Sequence, residues 1–69
     1  MQGAKGKIKR LMKQGRYGLI TAQDGRDLFF HRTDVRGLRF ESLKEGQSVE
    51  FEVEKGPRGP RAVNVRPKE

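Results

Sequence analysis

The sequence contains no cysteine and few aromatic residues, with one tyrosine and four phenylalanines among 69 residues. Without cysteine the chain can form neither a disulfide nor a thiolate metal site, so its fold must rest on packing and hydrogen bonds. Its longest apolar runs are far shorter than the roughly 18 residues that indicate a membrane span. The basic N-terminus also lacks the apolar segment of an export signal. We therefore expect a soluble, unexported protein.

The short chain allows one domain with a small core. A domain of this size buries a modest fraction of its surface, so its stability is expected to be marginal. The sequence shows no internal repeat and no low-complexity tract. We predict a single domain over residues 1–69, folded from about residue 5 to residue 66, with loose ends.

Basic residues outnumber acidic ones, 16 to 9, which gives a formal charge of +7. This surplus attracts polyanions, although solubility alone is the simpler explanation. The distribution favours a binding face, because the first 19 residues contain no acid and five glutamates gather later. The early basic residues are Lys5, Lys7, Lys9, Arg10, Lys13 and Arg16, and the glutamates are Glu41, Glu45, Glu50, Glu52 and Glu54. We predict a basic side that binds phosphates and an opposite acidic side.

Two strands are predicted in the C-terminal half. Over residues 47–54 apolar and polar residues alternate, which is typical of a half-buried strand. Its inward residues are Val49, Phe51 and Val53. A weaker alternation over 61–65 predicts Val63 and Val65 inward, with Ala62 and Asn64 outward. The Gly- and Pro-rich link between these strands is too long for a two-residue hairpin, so we predict a flexible basic loop. That loop carries Lys55, Arg58 and Arg61.

The N-terminal half predicts a hairpin, with strands at 17–20 and 27–31 and an Asp-Gly turn signal within 23–26. If Ile20, Leu28 and Phe30 point inward, alternation forces their neighbours outward. The outward residues are Tyr17, Leu19, Phe29 and His31. A slip of one residue would reverse both sets.

A first strand is predicted over residues 5–12, with Ile8 and Leu11 in the core. Their three-residue separation breaks strict alternation and indicates a bulge. Between residues 33 and 43 the apolar spacing predicts one short helical turn followed by a loop. The apolar residues of this segment are Val35, Leu38, Phe40 and Leu43. Several short strands at this spacing are typical of a sandwich or barrel.

An outward patch of rings in a basic field indicates a binding surface. Unpaired bases stack on aromatic side chains for roughly 1–3 kcal/mol each, while Lys and Arg hold the phosphates. Double strands hide the faces of their bases, so single-stranded RNA or DNA is the expected partner.

The motifs in these segments resemble those of the cold-shock domain family. Residues 15–20, Gly-Arg-Tyr-Gly-Leu-Ile, are similar to its first ribonucleoprotein motif, usually Lys-Gly-Phe-Gly-Phe-Ile, and residues 28–31, Leu-Phe-Phe-His, to the second, usually Val-Phe-Val-His. Residues 43–51 and 59–65 resemble its fourth and fifth strands. The resemblance implies an all-β, five-stranded antiparallel barrel of the oligonucleotide-binding class, with the binding face on its first three strands. It also implies a bacterial, cytoplasmic RNA chaperone that acts in transcription or translation.

The resemblance implies particular binding residues. The base-stacking residues are Tyr17, Phe29, His31 and Phe40; the phosphate or base-edge contacts are Lys9, Lys13 and Arg58; and Asp27 is a polar contact. At four positions the usual residue is replaced, with Arg10 for Trp, Arg16 for Gly, Leu19 for Phe and Arg32 for Phe. Because arginine binds phosphate through its charge, we expect stronger salt dependence than in typical relatives. Phe40 has an alternative role, which is to cover one end of the core.

Two other classes of function remain open. A ribosome-associated or protein-interaction module would use the acidic side formed by Glu50, Glu52 and Glu54. An enzyme has little support, because one histidine and no cysteine leave few groups for an active site. A nuclease would need Asp24, Asp27 and Asp34 to converge on a metal. We expect a non-catalytic protein with no cofactor, no metal, no membrane association and no small-molecule substrate.

Overall fold

The computed structural model describes residues 3–37 and 39–68, and these form a closed five-stranded barrel. The strands are β1 (Gly3–Met12), β2 (Tyr17–Ala22), β3 (Asp27–His31), β4 (Ser48–Gly56) and β5 (Gly59–Pro67). Their order around the barrel is β1-β2-β3-β5-β4. Four neighbouring pairs are antiparallel, and a short parallel contact between β3 and β5 closes the barrel. The predicted all-β, five-stranded barrel is confirmed.

The segment between β3 and β4 contains two single 3-10 turns, Arg32–Asp34 and Phe40–Ser42. One short helical turn was predicted here, and the structure has two. Leu38, which belonged to the predicted apolar set, lies outside the described residues. Val35 and Leu43 are buried, so this segment covers part of the barrel.

The core is built from cross-strand rows of inward side chains. Ile8 of β1 lies opposite Ile20 of β2, and Ile20 lies opposite Leu28 of β3. All three are at most 2% exposed, and Phe30, Val49 and Phe51 are fully buried beside them. The alternation of β2, β3 and β4 is therefore confirmed, and a slip of register is excluded for these strands.

The predicted bulge in β1 is confirmed at Lys9. Ile8 pairs with Ile20 and Arg10 pairs with Leu19, so Lys9 is an extra residue with no partner in β2. A bulge changes which side chains point outward. As a result Lys9 and Arg10 are both exposed, and Leu11 packs against the core.

The predicted phase of β5 is wrong for Ala62 and Val63. Ala62 is fully buried, whereas Val63 is partly exposed. The cause is a second bulge, since Glu50 pairs with Arg66 but Glu52 pairs with Val63. The adjacent Asn64 has φ = +52°, a left-handed conformation that asparagine tolerates better than most residues. Ala62 and Val65, three residues apart, can therefore both point inward.

The link between β4 and β5 is a two-residue hairpin, not the predicted flexible loop. Gly56 pairs with Gly59, so only Pro57 and Arg58 lie between the strands. Gly59 has φ = +108°, which a residue with a side chain rarely adopts. Of the basic residues assigned to this loop, Lys55 belongs to β4 and Arg61 to β5.

Strand pairing holds both ends of the described chain. Strand β1 begins at Gly3, and Pro67 pairs with Val49 in β4. The backbone N–H of Lys68 donates to the carbonyl oxygen of Ser48 at 3.2 Å. These contacts attach the end of β5 to the start of β4.

The three outward glutamates of β4 lie beside polar and basic side chains of β5. Glu54 lies 3.6 Å from Arg61 of β5, and Glu50 lies 3.8 Å from Arg66. Glu52 accepts a 2.7 Å hydrogen bond from Asn64. Two of the three outward glutamates of β4 thus form ion pairs with arginines of β5.

Candidate nucleic-acid interface

The pairing of β2 with β3 brings the predicted outward side chains together. Tyr17 lies opposite His31, and Leu19 lies opposite Phe29. The centroids of the Tyr17 and Phe29 rings are 5.4 Å apart, with an angle of 32° between their planes. Phe29 is 42% exposed, which is unusual for so large an apolar side chain. We call Tyr17, Phe29 and His31 the aromatic platform.

Two glycines allow the platform to form. A Cβ atom at Gly15 would overlap the ring of Tyr17. A Cβ atom at Gly18 would lie 2.8 Å from the ring of Phe30 and 2.6 Å from the carbonyl oxygen of Arg10. The Tyr17 ring therefore lies against bare backbone, and β2 can approach both β1 and the core ring beneath it.

The backbone around His31 is held by a buried carboxylate. The His31 N–H donates to Asp34 Oδ2 at 3.0 Å, and Nη2 of Arg61 lies 3.3 Å from Asp34 Oδ1. The His31 Nδ1 atom accepts from the Thr33 N–H at 3.4 Å. Asp34 is 6% exposed, so these partners compensate its desolvation. The 3-10 turn thereby fixes the end of β3 that carries His31.

A charged pair lies at the other end of the platform face. Lys9 Nζ is 2.7 Å from Asp27 Oδ2, and Thr21 Oγ1 donates to Asp27 Oδ1 at 3.0 Å. The hydrogen bond from Lys9, followed by that from Thr21, lowers the pKa of Asp27 below its ordinary value of 3.8. Both partners are exposed, so an incoming phosphate could compete for Lys9.

Arginines surround the platform. Arg10 of β1 lies opposite Leu19 of β2, which in turn lies opposite Phe29 of β3. Arg16 and Arg32 are adjacent at the Tyr17–His31 end, where the Arg32 N–H donates to the Arg16 carbonyl oxygen at 2.9 Å. Arg58 shares a cleft with Phe29 at the β4–β5 hairpin. We call these four exposed residues the arginine rim; none makes an ion pair within 4 Å to any described residue.

The structure corrects the prediction for Phe40 and adds Met12. Phe40 is 5% exposed, and its ring centroid lies 6.1 Å from that of Phe30, so it covers the core instead of facing a ligand. Met12 is 40% exposed, lies opposite Tyr17 and shares a cleft with Lys13. Met12 was not among the predicted site residues, although alternation places the residue after an inward Leu11 on the outer face.

The three aspartates of the nuclease alternative lie in separate interactions. Asp24 pairs with Arg26 at 2.8 Å, Asp27 with Lys9, and Asp34 with Arg61. Within residues 3–37 and 39–68 no three His, Asp or Glu side chains are grouped to hold a metal ion. In the same part of the chain no helix is long and apolar enough to span a membrane.

A closed barrel with this strand order and a ring-bearing, basic face on β1 to β3 defines the oligonucleotide-binding class of small barrels. In that class the face of the second and third strands and the loops after the first and fourth strands bind ligand. The same positions here hold the platform, the 13–16 loop and the β4–β5 hairpin.

Comparison with known proteins gives the family. A family model described as the 'Cold-shock' DNA-binding domain matches residues 4–68. The chain is 46% identical over 61 residues to cold shock protein CspB of Geobacillus stearothermophilus, covering 88% of this chain and 92% of that protein. It is 44% identical over 66 residues to the cold shock-like protein CspC of Escherichia coli K12, covering 94% and 96%. The chain belongs to the cold-shock domain family.

Proposed function

We propose that the protein binds single-stranded nucleic acid across the aromatic platform and acts as a non-catalytic RNA chaperone. The observation that carries this proposal is the exposed ring of Phe29 beside the half-buried ring of Tyr17, with their centroids 5.4 Å apart on a basic face. Exposed rings cost solubility unless they have a ligand, and the flat face of an unpaired base fits them. Membership of the cold-shock family, and the names of the relatives, support it.

The platform would supply stacking and the arginine rim would supply charge. Each stacked base contributes roughly 1–3 kcal/mol, whatever its identity, so sequence preference would be mild. Arg10, Arg16, Arg32 and Arg58 would bind phosphates or stack their planar groups on bases. Lys9, Lys13 and Asp27 would contact phosphates or base edges, and Leu19 and Met12 would add apolar contact. Phe40 is left out because its ring is buried.

Binding of this kind would open structured RNA by mass action. A protein that binds unpaired bases and not duplexes shifts the equilibrium toward open forms without any chemical step. The bacterial cytoplasm is the proposed setting, with effects on transcription or translation. The alternative of a ribosome-associated or protein-interaction module has less support, because Glu50 and Glu54 each have an arginine partner within β5.

The test is a titration of fluorescein-labelled oligonucleotides, since the chain has no tryptophan to report binding. We expect tight binding of a short single strand and much weaker binding of the same sequence as a duplex. Equal affinity for the two would refute the single-strand proposal. The variant Phe29→Ala should weaken single-strand binding, while Val63→Ala, which truncates a partly exposed apolar side chain of β5 outside the platform, is the control and should leave binding unchanged.

A further inference from the structure

Three lysines outside the platform lie around one shallow cleft. Lys5 and Lys7 of β1 and Lys68 at the end of β5 line it, together with Gln23 and Ser48. We call these three residues the lysine track. All three are exposed, and none makes an ion pair within 4 Å to any described residue.

Strand pairing fixes the positions of these lysines. Lys5 and Lys7 are two residues apart in β1, so they point to the same face. Lys7 lies opposite Ser48 of β4, and the Lys68 N–H donates to the Ser48 carbonyl oxygen. The nearest acid by register is Glu50, opposite Lys5, and its carboxylate lies 3.8 Å from Arg66. Positive charge therefore dominates the cleft.

The track is continuous with the platform face. Lys7 also lies opposite Thr21 of β2, and Thr21 donates to Asp27, which pairs with Lys9. At about 3.3 Å per residue, Lys5 lies roughly 13 Å from Lys9 along β1. A stacked strand places about four phosphates along that distance, because its nucleotides are spaced about 3.4 Å apart.

We propose that the lysine track binds the phosphates of nucleotides that extend beyond the platform, past the Asp27 end. This inference rests on the proposed function, because it continues the same strand. The cleft offers no exposed ring, so the contact would be electrostatic and independent of base identity. The protein would thus bind longer strands through a second, purely ionic segment.

The test compares oligothymidines of four and eight nucleotides with the variant Lys5→Gln/Lys7→Gln/Lys68→Gln. We expect four-nucleotide affinity to stay within about twofold of wild type at 0.15 M salt, where charges beyond about 8 Å are screened. For the eight-nucleotide strand, the slope of log affinity against log salt should become shallower by about 2. The variant loses three phosphate contacts, and each contact contributes about 0.7 to the slope.

The control is Arg39→Gln/Lys44→Gln/Lys55→Gln, which removes three exposed basic charges that lie outside the cleft. It should leave the eight-nucleotide slope unchanged. Equal losses for both lengths, or an equal effect of the control, would overturn the track as a local site. If wild type bound the four-nucleotide strand no better than a duplex, the proposed function itself would fail. Thermal unfolding of each variant verifies that it is folded.

Discussion

Arg16 is expected to lower the stability of the fold and to raise its affinity for single-stranded nucleic acid. Arg16 has φ = +56°, a left-handed conformation that costs a residue with a Cβ roughly 1–2 kcal/mol. The side chain is exposed beside the platform and makes no ion pair with described residues. No ion pair of the Arg16 side chain within the described residues therefore offsets the cost.

The variant Arg16→Gly should be more stable and bind more weakly. At the middle of both ranges, relief of strain of about 1.5 kcal/mol exceeds the extra unfolded-state entropy of glycine, roughly 0.75 kcal/mol, so the net gain is about 0.75 kcal/mol. That gain corresponds to a rise in Tm of about 2–8 °C for a domain of this size. Loss of one phosphate contact should lower single-strand affinity about fivefold at 0.1 M salt, from a slope of about −0.7.

The matched variant Arg16→Gln separates the two effects, because it removes the charge and keeps the left-handed strain. Its affinity for single strands should fall by the same factor as that of Arg16→Gly, and its Tm should stay close to that of the wild type. Calorimetry and oligonucleotide titration measure the two quantities. If Arg16→Gly unfolded at or below the Tm of Arg16→Gln, the strain argument would be wrong; if both kept full affinity, Arg16 would not contact the ligand.

Three further predictions concern the platform and its supports. Phe29→Ala should weaken single-strand binding by roughly 1–3 kcal/mol with no change in salt slope, and a shallower slope would contradict its role in stacking. Asp34→Ala should destabilise the fold by about 1–3 kcal/mol by leaving the His31 N–H without its acceptor; exposed Asp24→Ala is the control, and similar Tm losses would refute this account. Because the pKa of Asp27 is lowered on folding, its contribution to stability is present above about pH 4 and lost as pH falls through the lowered pKa. The Tm difference between wild type and Asp27→Asn should therefore be largest near neutral pH and shrink as pH falls through the lowered pKa of Asp27, and a difference independent of pH would contradict the Lys9–Asp27 interaction.

Local signals were enough for the hairpin and for the β1 bulge. The Asp24-Gly25 turn and strict alternation fixed the pairing of β2 with β3, and the Ile8–Leu11 spacing marked the extra residue. These features depend on residues close in sequence, where turn chemistry and side-chain period act directly.

Features that depend on barrel closure could not be predicted in this way. The phase of β5 changes at Asn64, whose left-handed backbone leaves no signal in hydrophobic alternation. The short β4–β5 turn depends on the positive φ of Gly59. The glycines and prolines of this segment are equally typical of a longer loop, so composition did not indicate the turn. Phe40 is buried because the segment after β3 folds back and places its ring against Phe30, and the Glu50 and Glu54 ion pairs depend on the register of β4 with β5.

The most direct test of the central claim is amide chemical-shift mapping with a short oligothymidine, which locates the binding face and tests single-strand binding together. We predict the largest shifts at Tyr17, Phe29 and His31, with smaller shifts at Arg10, Arg16, Arg32 and Arg58. Shifts centred on Glu50, Glu52 and Glu54 of β4, with the platform unperturbed, would contradict it.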